Sequence, residues 1–325
     1  MRCRLASCAL ALLAACGPPT SDPALERVTI PPGASVRIAA DSLKAHGIVG
    51  SPAWFRALAR LRLSERRLKA GIYDLPRGLG AWGAISALQA GRVATTRVTV
   101  PEGLSLPDLA ALVESRLGIA ADSVMLAARE SPWLAELQVG REDLEGFLHP
   151  ETYTLPLPVT ARSLVNAMAA AFGRSWKPEW DRRLDSLGWS RTELVTLASI
   201  VEAEARHPEE RPVIAGVYHN RLRRGMLLQA DPTVQYAIQR ATGQRKSRLY
   251  FKDLDIESPY NTYQRAGLPP GPINSPGTES LEAALYPADV PWLYFVAGPD
   301  GHHIFSRTLT EHNQAIARLH RSGAR

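Results

Sequence analysis

One eight-residue pattern occurs twice in this chain, seventy residues apart, and it limits the possible folds more than any other feature. Val28-Thr29-Ile30-Pro31-Pro32-Gly33-Ala34-Ser35 returns as Val98-Thr99-Val100-Pro101-Glu102-Gly103-Leu104-Ser105. Each copy reads as a short strand, a turn at Pro and Gly, and a helix opened by Ser. Val36, Ile38, Ala39 and Leu43 continue the first copy as an apolar stripe, and Leu106, Leu109, Ala110 and Val113 continue the second. Gly47 and Gly118 stand where each helix stops. Two copies are too few for a solenoid, so the pattern predicts a small α+β module used twice. Between them, Leu68-Lys69-Ala70-Gly71-Ile72-Tyr73 reads as a strand leaving a turn.

The three cysteines, Cys3, Cys8 and Cys16, all fall in the first sixteen residues. Disulfides, thiolate metal sites and cysteine catalysis are thereby excluded from the body of the chain. Arg2 and Arg4 precede an apolar run from Leu5 to Ala15, followed by Cys16, Gly17, Pro18 and Pro19, which reads as an export signal. The run is shorter than the roughly twenty residues a bilayer span needs. Leu13-Ala14-Ala15-Cys16 resembles the lipobox at which bacterial prolipoproteins are lipidated and cleaved. Residues 1–15 are therefore the expected signal peptide, Cys16 the lipidation site, and 16–27, rich in Pro and Ser, a tether. Such an anchor holds the protein on a membrane without spanning it, and leaves open which membrane of the envelope that is. Loss of Arg2 and Arg4 leaves 36 basic against 32 acidic residues, a net charge near +4. That balance suits an anionic envelope polymer or a lipid surface. No basic stripe interleaved with aromatics supports nucleic-acid binding, and export argues against it too.

With 325 residues, 45% of them hydrophobic, the chain can bury a sizeable core in two domains, or in one domain with an appended module. The texture changes from Asp143 onward, with more aromatic, amide and His residues and several Pro-Gly loops. The main boundary is expected between Ala121 and Arg141, giving an N-terminal region over 28–130 and a second domain over 131–325. In the latter, Leu164, Met168, Phe172 and Trp176 predict one or two amphipathic helices across 163–187. Glu209-Glu210-Arg211-Pro212 opens a helix that packs Ile214, Val217, Tyr218 and Leu222 and stops at Gly225. Asp231-Pro232 opens another, with Asp231 as its cap. Trp292-Leu293-Tyr294-Phe295-Val296 reads as a strand whose hairpin partner is Gly301-His302-His303-Ile304-Phe305.

The chemistry is concentrated in one predicted helix. Ser190 with Glu193 forms a capping-box pattern, and Leu194, Leu197, Ala198 and Val201 recur at helical spacing until His207-Pro208. This apolar run contains Glu202 and Glu204. Glu202 follows Ala198 and Ser199 by one turn, so its face carries small side chains that leave room for a ligand. Glu204 lies on a bulkier stripe, where a carboxylate points to solvent or pairs with Arg206 or Arg211. Burial logic therefore favours Glu202 as a proton-transferring acid.

Four ordered segments carry a family resemblance: Leu144-Glu145-Gly146-Phe147-Leu148-His149-Pro150-Glu151-Thr152-Tyr153; Ala198-Ser199-Ile200-Val201-Glu202-Ala203-Glu204; Val217 to Leu222 with Gly225 to Tyr236; and Ser258-Pro259-Tyr260-Asn261-Thr262-Tyr263 with Gly267 to Ile273. From about Val28 to its end the chain resembles the YceG-like (MltG) endolytic lytic transglycosylases of the bacterial envelope. The resemblance implies cleavage of the β-1,4 bond between N-acetylmuramic acid and N-acetylglucosamine in nascent glycan strands. A muramoyl 6-hydroxyl replaces the leaving oxygen, giving a 1,6-anhydro end, and glycan elongation ends there. It also implies that the first Glu of the Ile-Val-Glu segment, Glu202, is the acid, that cell-wall synthases are partners, and that no metal or organic cofactor is needed. Ala203 and Ala205 stand where polar neighbours are expected, and the lipobox-like sequence replaces the family's usual membrane helix.

Asn220, Gln229, Asp231, Tyr260, Asn261 and Tyr263 offer the amide, carboxylate, hydroxyl and aromatic groups that sugar binding uses. A hydrolytic muramidase pairing Glu202 with Asp231 or Glu204 is the alternative that changes only the product. A non-catalytic glycan-binding lipoprotein is the alternative from another class. His302, His303 and His312 are not read as metal ligands, since adjacent residues of a strand face opposite sides. The expected fold class is α+β: LysM-like α+β modules, by resemblance to the strand-turn-helix units that bind amino-sugar polymers, followed by a mixed α+β catalytic domain.

Overall fold

The computed structural model describes residues 24–62 and 67–321. The expected signal peptide, Cys16 and most of the tether lie outside the described residues. The fold is mixed α+β, mostly helical, with small two-stranded sheets. It divides into two compact units, one reaching Thr95 and including Pro156–Pro158, the other comprising Thr96–Leu155 and the chain from Val159 onward. No helix among the described residues is long and apolar enough to cross a membrane.

The first unit runs β1 (Leu25–Ile30), α1 (Val36–Ala45), α2 (Pro52–Leu61), β2 (Gly71–Pro76) and α3 (Gly80–Ala90). Strands β1 and β2 pair antiparallel, with Leu25 opposite Pro76 and Ile30 opposite Gly71. Val28, Ile30, Tyr73 and Leu75 alternate inward onto Leu43, Ile48, Phe55, Ile85 and Leu88. Ser35 and Ser51 cap α1 and α2 by accepting from Ile38 N and Trp54 N, each at 3.3 Å. The strand expected over 68–73 starts later, at Gly71, because Lys69 is drawn off by a backbone bond to Leu88 O.

The second copy of the repeat takes the same local form, with β3 (Thr95–Thr99), a turn, and α4 (Leu106–Leu117) capped by Ser105. Gly33 and Gly103 occupy matching left-handed turn positions, at φ 73° and 75°. Helix α4 ends on Gly118 at φ 67°, whereas α1 ends one residue before Gly47, on His46.

The second unit continues with α5 (Ala121–Arg129), α6 (Trp133–Glu136) and β4 (Thr152–Pro156), which pairs with β3. Next come α7 (Ala161–Ser175), α8 (Pro178–Leu187), α9 (Arg191–Glu204), α10 (Arg211–Arg223), α11 (Asp231–Thr242) and α12 (Thr278–Leu285). The hairpin of β5 (Tyr294–Ala297) and β6 (His303–Ser306), then α13 (Leu309–Arg321), complete it. The helical stretch expected across 163–187 divides because Pro178 opens α8 at a position that could not continue α7. Phe147, Phe172, Trp176 and Trp180 join the two through successive ring contacts of 5.1, 5.9 and 5.2 Å.

Helix α9 is central. Its capping box forms as the sequence predicts, and every residue from Leu194 to Val201 is buried, as befits a helix covered on all sides. Helices α8, α10, α11 and α12 pack around it. Ser199 accepts from Ile273 N at 3.1 Å, and its carbonyl accepts from Asn274 Nδ2 at 2.9 Å, pinning the Pro-Gly loop to the helix.

Candidate active site

Helix α9 emerges from the core at its C-terminal end and delivers its two glutamates to different surroundings. Glu202 Oε2 accepts from Gly277 N at 3.1 Å and Ser280 Oγ at 2.7 Å, at the start of α12. Its other oxygen lies 3.5 Å from Arg211, which also pairs with Glu279 at 2.7 Å and Glu102 at 3.7 Å. Both oxygens of Glu202 are thus engaged in tying α9 to α10 and α12.

Glu204 instead faces a cavity of about 370 Å³ between the ends of α9 and α11, the face of α10, and the β5 strand. Its Oε1 accepts from the buried Tyr218 hydroxyl at 3.0 Å. Burial pushes the Glu204 carboxyl up to about 7; the Tyr218 bond opposes this, the negative charge of Asp231 adds to it, and Arg221 opposes it. The expectation that Glu204 points to solvent or pairs with Arg206 or Arg211 does not hold. Helical spacing describes neighbours on the same helix, and the neighbour that encloses Glu204 is Tyr218 on another.

The opposite wall is built from two distant motifs laced together through Thr262. Gln229 N donates to Thr262 O at 3.0 Å, Ala230 N donates to Thr262 Oγ1 at 3.0 Å, and the hydroxyls of Thr233 and Thr262 bond at 2.8 Å. An isolated bridge between Leu227 and Ala266 closes the same junction. This lacing puts Gln229, Asp231 and Tyr263 on the cavity with Glu204. Tyr263 donates to Asp231 Oδ1 at 2.5 Å. Gln229 is held at φ 49°, a left-handed conformation unusual for a residue with a Cβ, of the kind that collects at ligand sites.

Of the six residues expected to bind sugar, three are therefore together and three are elsewhere. Asn220 donates its amide to Val290 O and Trp292 O at 2.7 and 2.9 Å, which fixes the chain entering β5. Asn261 donates to Leu254 O and Ile256 O at 2.8 and 2.9 Å and accepts from Tyr263 N, which shapes its own loop. Tyr260 is buried against Tyr236 with ring centroids 4.9 Å apart. Asp231 is not the cap of α11: Ala230 takes that position, Asp231 begins the helix, and no side-chain capping bond forms.

The cavity also has walls that sequence reasoning did not assign to a site. Arg221 is buried and donates to Leu293 O at 2.7 Å and Leu228 O at 2.6 Å, bracing both sides. His303 bonds Glu210 Oε2 through Nδ1 at 2.7 Å, and Phe295 meets Tyr218 edge-on at 5.8 Å. Tyr218 and Arg221 sit three apart on α10, so their common face was legible from spacing, but the cavity was not. His207, Glu209 and His302 form the one cluster of metal-ligand types among the described residues, with ligand atoms within 4.8 Å. The two rings stack 3.6 Å apart and 9° from parallel, so one ion cannot lie in both ring planes.

The model of the YceG-like family matches residues 28–318. An endolytic murein transglycosylase of Bacillus subtilis (strain 168) is 34% identical over 307 residues, covering 89% of this chain and 83% of that protein. Its counterpart in Streptococcus pneumoniae serotype 2 (strain D39) is 30% identical over 319 residues, and the match spans 89% of this chain and 57% of the streptococcal protein. The crystal structure of a YceG-like protein from Listeria monocytogenes superposes with a TM-score of 0.61 at 32% identity, covering 90% of this chain and 98% of that one. A match across nearly the whole described chain, by sequence and by fold alike, makes this protein a member of the YceG-like family.

Proposed function

We infer that this chain is an endolytic murein transglycosylase, the activity named for its relatives, and that Glu204 is its acid and base. The observation that carries the residue assignment is a carboxyl raised to about 7 that shares a cavity with Gln229, Asp231 and Tyr263. Glu202, favoured by the sequence, has Oε2 accepting from Gly277 and Ser280 and Oε1 3.5 Å from Arg211, and it does not line that cavity. Protonated Glu204 gives its proton to the glycosidic oxygen as the bond from the muramoyl anomeric carbon to that oxygen breaks. The 6-hydroxyl of the same sugar bonds to that carbon, and its proton passes to Glu204. No water is consumed, and the acid is regenerated. Gln229 and Tyr263 reach the sugar from the opposite wall.

Asp231 gives the hydrolytic reading its foothold, since a second carboxylate could activate water. Mass analysis of the ends produced from purified peptidoglycan decides between them. Anhydro-muramoyl ends are expected, and reducing ends about 18 mass units heavier, from added water, would mean hydrolysis.

The pH dependence has a definite sign. The acid step needs the protonated form, so kcat/KM is expected to fall as pH rises through about 7. Tyr218→Phe removes a hydrogen bond that favours the charged carboxylate, so it moves this alkaline limb to higher pH. Asp231→Asn removes a repelling charge and moves it to lower pH. Limbs that stay in place in both variants would detach Glu204 from the acid step.

The order β1-α1-α2-β2, with β1 and β2 antiparallel, supports a LysM-like reading of the N-terminal region. We assign that region, over 28–130, to positioning the strand, and 131–325 to cleaving it. Cell-wall substrate places the protein in the envelope, and lipidation at Cys16 would hold it at a membrane beside cell-wall synthases.

A further inference from the structure

Helix α10 separates two cavities. Tyr218 and Arg221 face the one that holds Glu204. On the far side, His219 and Arg223 line a second of about 550 Å³, with Arg183, Ser186 and Trp189 from the end of α8 and the turn after it, and the 287–289 segment. This second cavity has a fixed wall. Ala288 N donates to Pro212 O at 2.9 Å, and Asn220 grips Val290 O at 2.7 Å. Gly216 allows the approach, because a Cβ there would lie 2.6 Å from Ala288 O and 2.8 Å from Val290 Cγ2.

Its charge is not neutralised from within. Neither Arg183 nor Arg223 pairs with a carboxylate among the described residues. Arg183 donates to Leu285 O at 3.3 Å and Ser186 Oγ at 3.4 Å, and Arg223 donates to Asn220 Oδ1. The one acid in the lining is Asp289, exposed to solvent. His219 stacks on Trp189, with centroids 4.9 Å apart and planes 7° from parallel, and its Nε2–H donates to Ala284 O at 2.8 Å. Burial holds His219 below its usual range, the bond to Ala284 O opposes this, and the charges of Arg223 and Arg183 add to the lowering. A cavity around Lys177 and Arg211 differs in that both cations pair with glutamates.

We infer that the cavity beside Arg183 and Arg223 is a second ligand site, one that takes an oxyanion, carboxylate or phosphate, carried on a body the size of a sugar or dipeptide. Guanidinium groups present planar forks of donors that match both oxyanions. A volume of 550 Å³ is far larger than a bare ion needs and lies within the range of small-molecule sites. The choice of probes rests on the peptidoglycan reading: stem peptides carry carboxylates, and a strand still on its lipid carrier ends in a diphosphate.

The test is calorimetric titration of the full Glu204→Gln chain, which keeps turnover out of the signal, with inorganic pyrophosphate and with N-acetylmuramoyl dipeptide. At least one anion is expected to bind, and Arg183→Ala/Arg223→Ala to weaken it tenfold or more with an unchanged thermal midpoint. Ser186→Glu, which supplies the cavity with its own carboxylate, is expected to do the same without removing either arginine, and it decides the matter if the double variant is unstable. Pyrophosphate alone would identify a phosphate ligand, and the dipeptide alone a carboxylate. No binding of either at millimolar concentration, or binding indifferent to Ser186→Glu, overturns the proposal. Because the readout is binding, a failure here is separate from any failure of strand cleavage.

Discussion

Glu204→Gln is expected to slow glycan-strand cleavage about a thousandfold, in line with losing a group that serves as both general acid and general base. The amide keeps the size of the side chain and can still accept from Tyr218, so the fold should be retained, with an unchanged thermal midpoint at pH 6. Glu202→Gln is the informative companion. It removes one of three carboxylates around Arg211 and weakens the acceptor for Gly277 N and Ser280 Oγ. A stability loss of about 1–3 kcal/mol is expected from a disturbed buried ion pair and its hydrogen bonds. Activity below the melting transition should stay within about tenfold of the wild type, a modest loss for a group outside the chemical step. The opposite pattern, with Glu202→Gln dead and Glu204→Gln active, would return the acid to the residue that the sequence favoured.

Gly146→Ala is expected to be the most damaging small substitution for stability. Gly146 adopts φ 83°, and a Cβ there would lie 2.6 Å from Pro272 Cγ and 2.9 Å from Val195 Cγ1. Neither neighbour can retreat cheaply, since Pro272 is a rigid ring and Val195 is fully buried on α9. Left-handed backbone strain of about 1–2 kcal/mol adds to overpacking of about 1–3 kcal/mol. A total near 3–4 kcal/mol corresponds to a drop of about 10 °C in thermal midpoint for a domain of this size. Gly188→Ala separates the two contributions, because Gly188 has φ 67° and nothing within 4 Å of the added carbon. It should show the backbone part alone. Equal losses in the two variants would mean that the Pro-Gly loop yields where the packing says it does not.

The parts of the fold that follow from short-range patterns were legible. The capping box at Ser190 and Glu193 forms, both copies of the strand-turn-helix repeat form, and the Trp292 and His302 segments meet in a hairpin that starts at Tyr294 and His303. The site was legible as a set of segments and not as a set of side chains. Asn261 and Tyr263 are two residues apart, yet one serves the loop backbone and the other the cavity. That outcome depends on the carbonyls of Leu254 and Ile256 and on Asp231, none of which the local sequence can place. Glu202 and Glu204 divide for the same reason. Arg211 and Tyr218 come from the next helix, and they decide which carboxyl is tied down and which is enclosed.

Helix α9 stops at Glu204, and Ala205 through His207 leave the helical path before Pro208. The carboxyl proposed as the acid therefore sits at the electronegative end of a helix, where the summed peptide dipoles oppose any further negative charge. Asp231 occupies the first position of α11, where the field points the other way. Two carboxyl groups on one cavity thus meet helix ends of opposite polarity. The backbone stop after Glu204 favours the protonated form that the proposed acid needs: a chain that ran on for one more turn would carry the same side chain in a weaker field.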